Sequence, residues 1–239
     1  MNTMKALFLI TGLMISLFGN AQDKQVADTA DYLSSVKKEL TAVWPNNRTI
    51  NLVFHGHSVV AGYQANHEVH TFESYPFLLL KKLKEKYPYA VINVIVTAIG
   101  GENSVRGQER FKEDVLVHKP DVLFIDYALN DIGAGLEKSG KSWEKMIRDA
   151  LKRNIKIILL TPSPDQRIDM LAKDNALELH ADQIRKLAGK YHIGLADSYL
   201  LFQNMEKEGK NIKDYMSQVN HPNQAGNEMI AGELMKWFN

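Results

Sequence analysis

The sequence predicts an α/β domain in which a parallel sheet is covered by helices on both faces. Three observations carry that expectation. Five short runs rich in Val, Ile and Leu recur at residues 49–54, 90–98, 121–127, 155–161 and 193–196. Segments of helical period alternate with them at residues 72–86, 104–118, 142–154 and 175–191, and a last one covers 224–238. The middle runs are apolar almost throughout instead of alternating, as strands buried on both faces must be.

The elements follow in order. Residues 28–43 are amphipathic, and that stretch ends at Trp44-Pro45, where proline cannot continue a helix. The first strand, 49–54, runs into Phe54-His55-Gly56-His57-Ser58. The helix at 72–86 contains the apolar stretch Leu78–Leu83, with the spacing that a sheet-facing helix needs. The second strand, 90–98, opens into Ala98-Ile99-Gly100-Gly101-Glu102-Asn103-Ser104, and the third, 121–127, into Tyr127-Ala128-Leu129-Asn130-Asp131. Strands at 155–161 and 193–196 complete a five-stranded sheet. Before the final helix, which is apolar over Met229–Phe238, stands Asn220-His221-Pro222-Asn223. No repeat, low-complexity tract or linker divides the chain, so residues 22–239 read as one domain.

Composition removes several classes of function. Of 239 residues, 45% are hydrophobic and 24% charged, the proportions of an ordinary globular domain. The 29 Lys and Arg against 28 Asp and Glu give a net charge of +1 with no basic run, which argues against a nucleic-acid partner. Cysteine is absent. Disulfides, thiolate metal sites and a thiol nucleophile are therefore excluded, and any nucleophile must be an oxygen or a lysine.

At the start, Lys5 precedes an apolar run over residues 6–18 that is short for a bilayer span. With small residues at Gly19 and Ala21, residues 1–21 are expected to be a signal peptide cut near Ala21, leaving Gln22 first. A retained anchor is the alternative. Lys5 is the one charge in that segment, so 29 basic residues become 28 and balance the 28 acidic ones. An exported neutral chain, in periplasm or medium with no stable membrane anchor, suits small or uncharged polymeric ligands.

In an open parallel sheet, ligands bind beyond the carboxyl ends of the strands, where the loops converge. The loops here hold a hydroxyl, flexible backbone amides, a carboxamide and an imidazole, the groups that acyl transfer needs. A serine hydroxyl is a weak nucleophile until a base accepts its proton, and histidine suits that task near neutrality. Ser58 and His221 are the candidate catalytic pair. The amides of Ser58 and Gly101 and the Asn130 side chain are candidate donors to the oxyanion that forms as an ester carbonyl is attacked. Glycine at 101 permits a positive φ and close backbone approach.

The series Gly56-His57-Ser58, Gly101, Asn130-Asp131 and His221, each in its expected loop, resembles the SGNH (GDSL-like) hydrolase family over residues 49–238. The resemblance implies a flavodoxin-like three-layer α/β/α sandwich. It also implies Ser58 as nucleophile, Gly101 and Asn130 as oxyanion donors, His221 as base and no cofactor. Three positions depart from the family's pattern. His57 stands where an acid is usual before the serine, and Ala128 stands where glycine is usual. Gln218 stands three residues before the histidine, where an aspartate usually orients the imidazole.

Gln218 can still accept a ring hydrogen bond through its amide oxygen, so a Ser–His dyad is expected, with lower activity. Asp197 and Asp214 are further acceptors to consider, each with a capping or loop role as its alternative. A degenerate, non-catalytic member that binds glycans or acts as a scaffold is the competing reading.

His57 and Tyr127 are expected to line the substrate pocket. Tyr63, Phe72, Tyr75 and Trp143 either share that role or belong to the core. His55, His57, His67 and His70 raise a metal site, but no Asp or Glu falls into a familiar ligand spacing with them, and no metal is expected. The Gly100-Gly101 turn lacks both phosphate-cradling spacings, so no nucleotide is expected either. Export, neutrality and the resemblance together suggest an ester on carbohydrate, foremost an O-acetyl group, as substrate. The sequence does not indicate an oligomeric state.

Overall fold

The strands are β1 (Thr49–Gly56), β2 (Val91–Val96), β3 (Val122–Asp126), β4 (Lys156–Leu160) and β5 (Gly194–Ala196). They form one sheet in the order β2-β1-β3-β4-β5, with every neighbouring pair parallel. The computed structural model describes residues 25–239, so the expected signal peptide lies outside the described residues. The chain runs from β1 out to β2, then crosses back to place β3 on the other side of β1. Their loops diverge there and open a crevice at the switch point of a flavodoxin-like order.

Adjacent residues of the central strands face opposite layers. Phe54, Phe124 and Ile158 join a core with Leu79, Leu83, Phe202, Ala231 and Leu234. Val53, Leu123, Ile125 and Ile157 join a second core with Phe111, Trp143, Ile147 and Ala188. The first layer holds α1 (Ser34–Leu40), α3 (Tyr75–Lys86), α7 (Ser198–Lys207) and α8 (Gln224–Met235), and the second holds α4 (Ser104–Asp114) and α5 (Leu136–Leu151). α6 (Ala176–Tyr191) contributes to both. One-turn α2 (Ser58–Ala61) follows β1, and the small hairpin β6 (Met216–Gln218) and β7 (His221–Pro222) precedes α8. The three-layer α/β/α sandwich expected from the resemblance is the fold observed.

Boundaries differ where local chemistry overrides period. The 28–43 stretch is helical only over Ser34–Leu40. The helix expected from 72 starts at Tyr75, with Pro76 in its first turn, because Thr71–Glu73 form a separate 3₁₀ turn. The helix expected from 142 starts at Leu136. Ser139 and Gly140 lie in the added turns, and the small size of Gly140 lets α6 approach: a Cβ there would lie 2.8 Å from Gln183 Nε2. α7 was not expected, although Tyr199, Phe202 and Met205 are buried along one of its faces and Asp197 caps it through Leu200 N–H.

The end of β1 is tightly built. A Cβ on Gly56 would lie 2.4 Å from the Asp126 carbonyl oxygen and 2.5 Å from Val60 Cγ2. Gly56→Ala must push β3 away from the nucleophile loop, and overpacking of this kind costs about 1–3 kcal/mol. The expected result is a melting temperature lowered by roughly 2–12 °C; an unchanged value in a thermal melt would show that the strand end yields freely.

Candidate active site

β1 delivers Ser58 to the first position of α2. The cap of that short helix is His57, whose Nδ1 accepts from the Val59 N–H at 3.3 Å, so the serine hydroxyl is free of a capping role. Ser58 Oγ lies 2.8 Å from His221 Nε2. These residues are far apart in sequence, and the hairpin carrying the histidine is pinned from three sides. Ala65 N–H donates to Ser217 Oγ, Gln166 N–H donates to the Val219 carbonyl, and Asn227 of α8 donates to the Pro222 carbonyl.

The second loop places Gly101 at φ +74°, in the left-handed region that favours glycine, and a Cβ there would point into open space. Its glycine is therefore required by backbone conformation and not by crowding. The third loop begins a 3₁₀ turn, Asn130–Gly133. Asn130 Nδ2 donates to the Glu102 carbonyl at 2.9 Å, and a carboxamide nitrogen has a second N–H to offer. Asp131 is fully buried and ties the loop down, accepting from Ser104 N–H at 2.8 Å and Trp143 Nε1 at 2.6 Å. Burial nonetheless raises its pKa above the usual aspartate value.

Ser58, Gly101, Asn130 and His221 line one cleft of about 430 Å³. Tyr63, Gln64, His67 and Asn220 line it too. Of these, sequence reasoning singled out only Tyr63 for the cleft. Gln64 and His67 follow within ten residues of the serine and Asn220 adjoins the histidine, so proximity in sequence was the available signal.

Several expectations need correction. Gln218 does not orient the imidazole: its side-chain amide donates to the Gln64 carbonyl at 3.1 Å, so it clips two loops together. His221 Nδ1 is buried with no hydrogen-bond partner. Asp197 is engaged by Arg185 and Thr161, and Asp214 accepts from Asn211, so neither serves as its acceptor.

His57 does not line the pocket. It is fully buried, turned inward as the cap of α2, with Nε2 3.4 Å from Asp126 Oδ1 but without a hydrogen bond between them. Tyr127 is likewise fully buried, because its hydroxyl is drawn to Glu102 Oε2 at 2.7 Å. Tyr75 and Trp143 are core, whereas Phe72 is 82% exposed. Among the described residues no group of three or more His, Asp or Glu side chains is placed to hold a metal ion. His70 instead pairs with Glu68 and Glu73.

The electrostatics of His221 follow from its surroundings. Burial, and then the proximity of His57, lower its pKa from 6.5 to about 4. The ring is therefore neutral, and able to accept a proton, across the whole neutral range. A group that works as a neutral base loses activity as pH falls through its pKa. The expected kcat/KM is level down to about pH 4 and declines below it. An acid limb at the ordinary histidine value in a pH–rate profile would contradict this environment for the ring.

A serine at hydrogen-bonding distance from a neutral imidazole, with a glycine turn and a carboxamide on the facing loops, is the layout for acyl transfer. Against known families, the sequence profile of the GDSL-like lipase/acylhydrolase family matches residues 54–229. The chain belongs to that family. In this GDSL-like chain both Ser58 and His221 fall within the matched residues.

Similar solved structures agree on the fold. A two-domain esterase active on acetylated mannans superposes with a TM-score of 0.70 at 20% identity, covering 87% of this chain. This chain spans only 52% of that protein. The acetyl xylan esterase AlAXEase gives a TM-score of 0.66 at 24% identity, over 77% of this chain and 98% of its own. The acetylxylan esterase Axe2 from Geobacillus stearothermophilus gives 0.70 at 19% identity, over 80% and 94%. No curated protein matches the sequence.

Proposed function

We propose that this GDSL-like protein is an exported serine esterase that removes O-acetyl groups from a neutral oligo- or polysaccharide through an acyl-enzyme. The observation that carries the reading is the 2.8 Å contact between Ser58 Oγ and His221 Nε2 inside a cleft bordered by Gly101 and Asn130. Ser58 Oγ attacks the acetyl carbonyl and its proton passes to His221 Nε2. The Ser58 and Gly101 amides and Asn130 Nδ2 receive the oxyanion. Collapse breaks the bond to the sugar oxygen, which takes the proton from His221. Water, deprotonated by the same ring, then releases acetate and restores Ser58.

Carbohydrate is favoured by the polar lining of Gln64, Asn220 and Tyr63 and by the balanced charge of residues 22–239. The solved structures named above include esterases of acetylated mannan and xylan. Residues 22–239 are taken to act as one domain after removal of the leader near Ala21. Among the described residues no helix is long and apolar enough to cross a membrane.

The unpartnered His221 Nδ1 favours a second reading, in which the cleft binds an acetylated glycan without cleaving it. One experiment separates the two. Purified protein incubated with acetylated xylo- and manno-oligosaccharides is expected to release acetate, detected by enzymatic assay, and Ser58→Ala to release none. Binding of those oligosaccharides by calorimetry with no acetate released by either protein would establish the second reading instead.

A further inference from the structure

Behind the cleft lies a buried polar cluster that the reaction sequence does not use. Glu102, 5% exposed, directly follows Gly101. Its carboxylate is gripped by Arg110, with Nε to Oε1 at 2.9 Å and Nη2 to Oε2 at 2.5 Å, and by the Tyr127 hydroxyl at 2.7 Å. A carboxylate taken out of water needs such partners, and here a guanidinium and a hydroxyl supply them. The backbone of the same residue faces the other way: its carbonyl accepts from Asn130 Nδ2 at 2.9 Å.

The circuit closes through Tyr127. Its carbonyl accepts from the N–H groups of Asn130 and Asp131 at 3.0 and 3.2 Å, starting the turn that presents the carboxamide. β1 joins as well. His55 Nε2 lies 3.0 Å from the Gly107 carbonyl and 3.2 Å from the Tyr127 hydroxyl, while Nδ1 meets Thr97 Oγ1 at 2.8 Å. Gly107 leaves the room this requires, since a Cβ there would lie 2.3 Å from the Tyr127 oxygen. One buried cluster thus links the strands and loops that bear Ser58, Gly101 and Asn130.

We propose that Glu102, locked by Arg110 and Tyr127, is a positioning residue that sets the spacing between the Gly101 amide and Asn130 Nδ2. The inference rests on the reading of those two groups as oxyanion donors. Donors act strongly only if they already stand where charge will develop. A free Glu102 side chain would let the Gly101 turn drift relative to the carboxamide it holds.

The test is a double-mutant cycle on p-nitrophenyl acetate hydrolysis. Glu102→Gln and Tyr127→Phe are each made alone and together with Asn130→Ala, and folding is checked by thermal melt. Each alone is expected to lower kcat by about 10- to 10²-fold, the penalty of a misplaced catalytic group, with KM changed less than about twofold. In the Asn130→Ala background the same changes are expected to cost several-fold less, because one of the two donors whose spacing they set is gone.

Equal losses in both backgrounds, or an unchanged kcat in a folded single variant, would overturn the proposal. Tyr127→Phe removes one oxygen and carries the test if Glu102→Gln does not fold. Failure of the esterase reading looks different: the unsubstituted protein would show no hydrolysis, or Ser58→Ala would leave its activity intact, and in either case the positioning role would fall with it.

Discussion

Ser58→Ala and His221→Ala are each expected to lower kcat by at least about 10²-fold and to the same floor, with the double variant no lower. The bound follows from magnitudes for complete triads. Serine or histidine removal there costs about 2 × 10⁶ in kcat, and a carboxamide in place of the orienting carboxylate alone costs about 10⁴. This chain already lacks that carboxylate: Gln218 is turned to Gln64, and His221 Nδ1 has no partner. What remains for the pair is the residue of that ratio. The shared floor follows from Oγ and Nε2 acting as one unit at 2.8 Å. Steady-state kinetics on p-nitrophenyl acetate would check it, and additive losses would show that each group works without the other.

Asn130→Ala is expected to lower kcat by about 10²–10³ with little change in KM, the cost of losing one oxyanion donor. The effect falls on kcat because the charge that the carboxamide meets exists only after attack. Stability should change little by comparison, since Asp131, not Asn130, makes the buried contacts to Ser104 and Trp143 that hold the loop. Kinetics together with a thermal melt would check both parts. A rise in KM at unchanged kcat would assign Asn130 to substrate binding instead.

Much of this site was legible in the sequence because its groups sit where strands end. Apolar runs closing at Phe54, Ala98 and Tyr127 put Ser58, Gly101 and Asn130 on one edge of the sheet, whatever the detailed packing. Side-chain direction was not legible. His57 and Tyr127 occupy the same loops, yet both are fully buried. Near a strand end a shift of one residue exchanges the face that a side chain occupies, and contacts made in the fold decided the outcome: the Val59 N–H two residues on and the distant Asp126 for one, Glu102 and Arg110 for the other. α7 was not legible because its apolar face is short, resting on Tyr199, Phe202 and Met205.

By itself the sequence determined the layered architecture, the order of the loops and the kinds of reactive group in them. These depend on hydrophobic period and on residue type, which are local properties of the chain. Only the tertiary structure decided which polar groups face the cleft and which are locked behind it, and that the imidazole stands without a carboxylate. Those outcomes depend on desolvation and hydrogen bonding between segments distant in sequence, where one carbonyl or guanidinium a few ångströms away determines whether a side chain turns toward solvent or core.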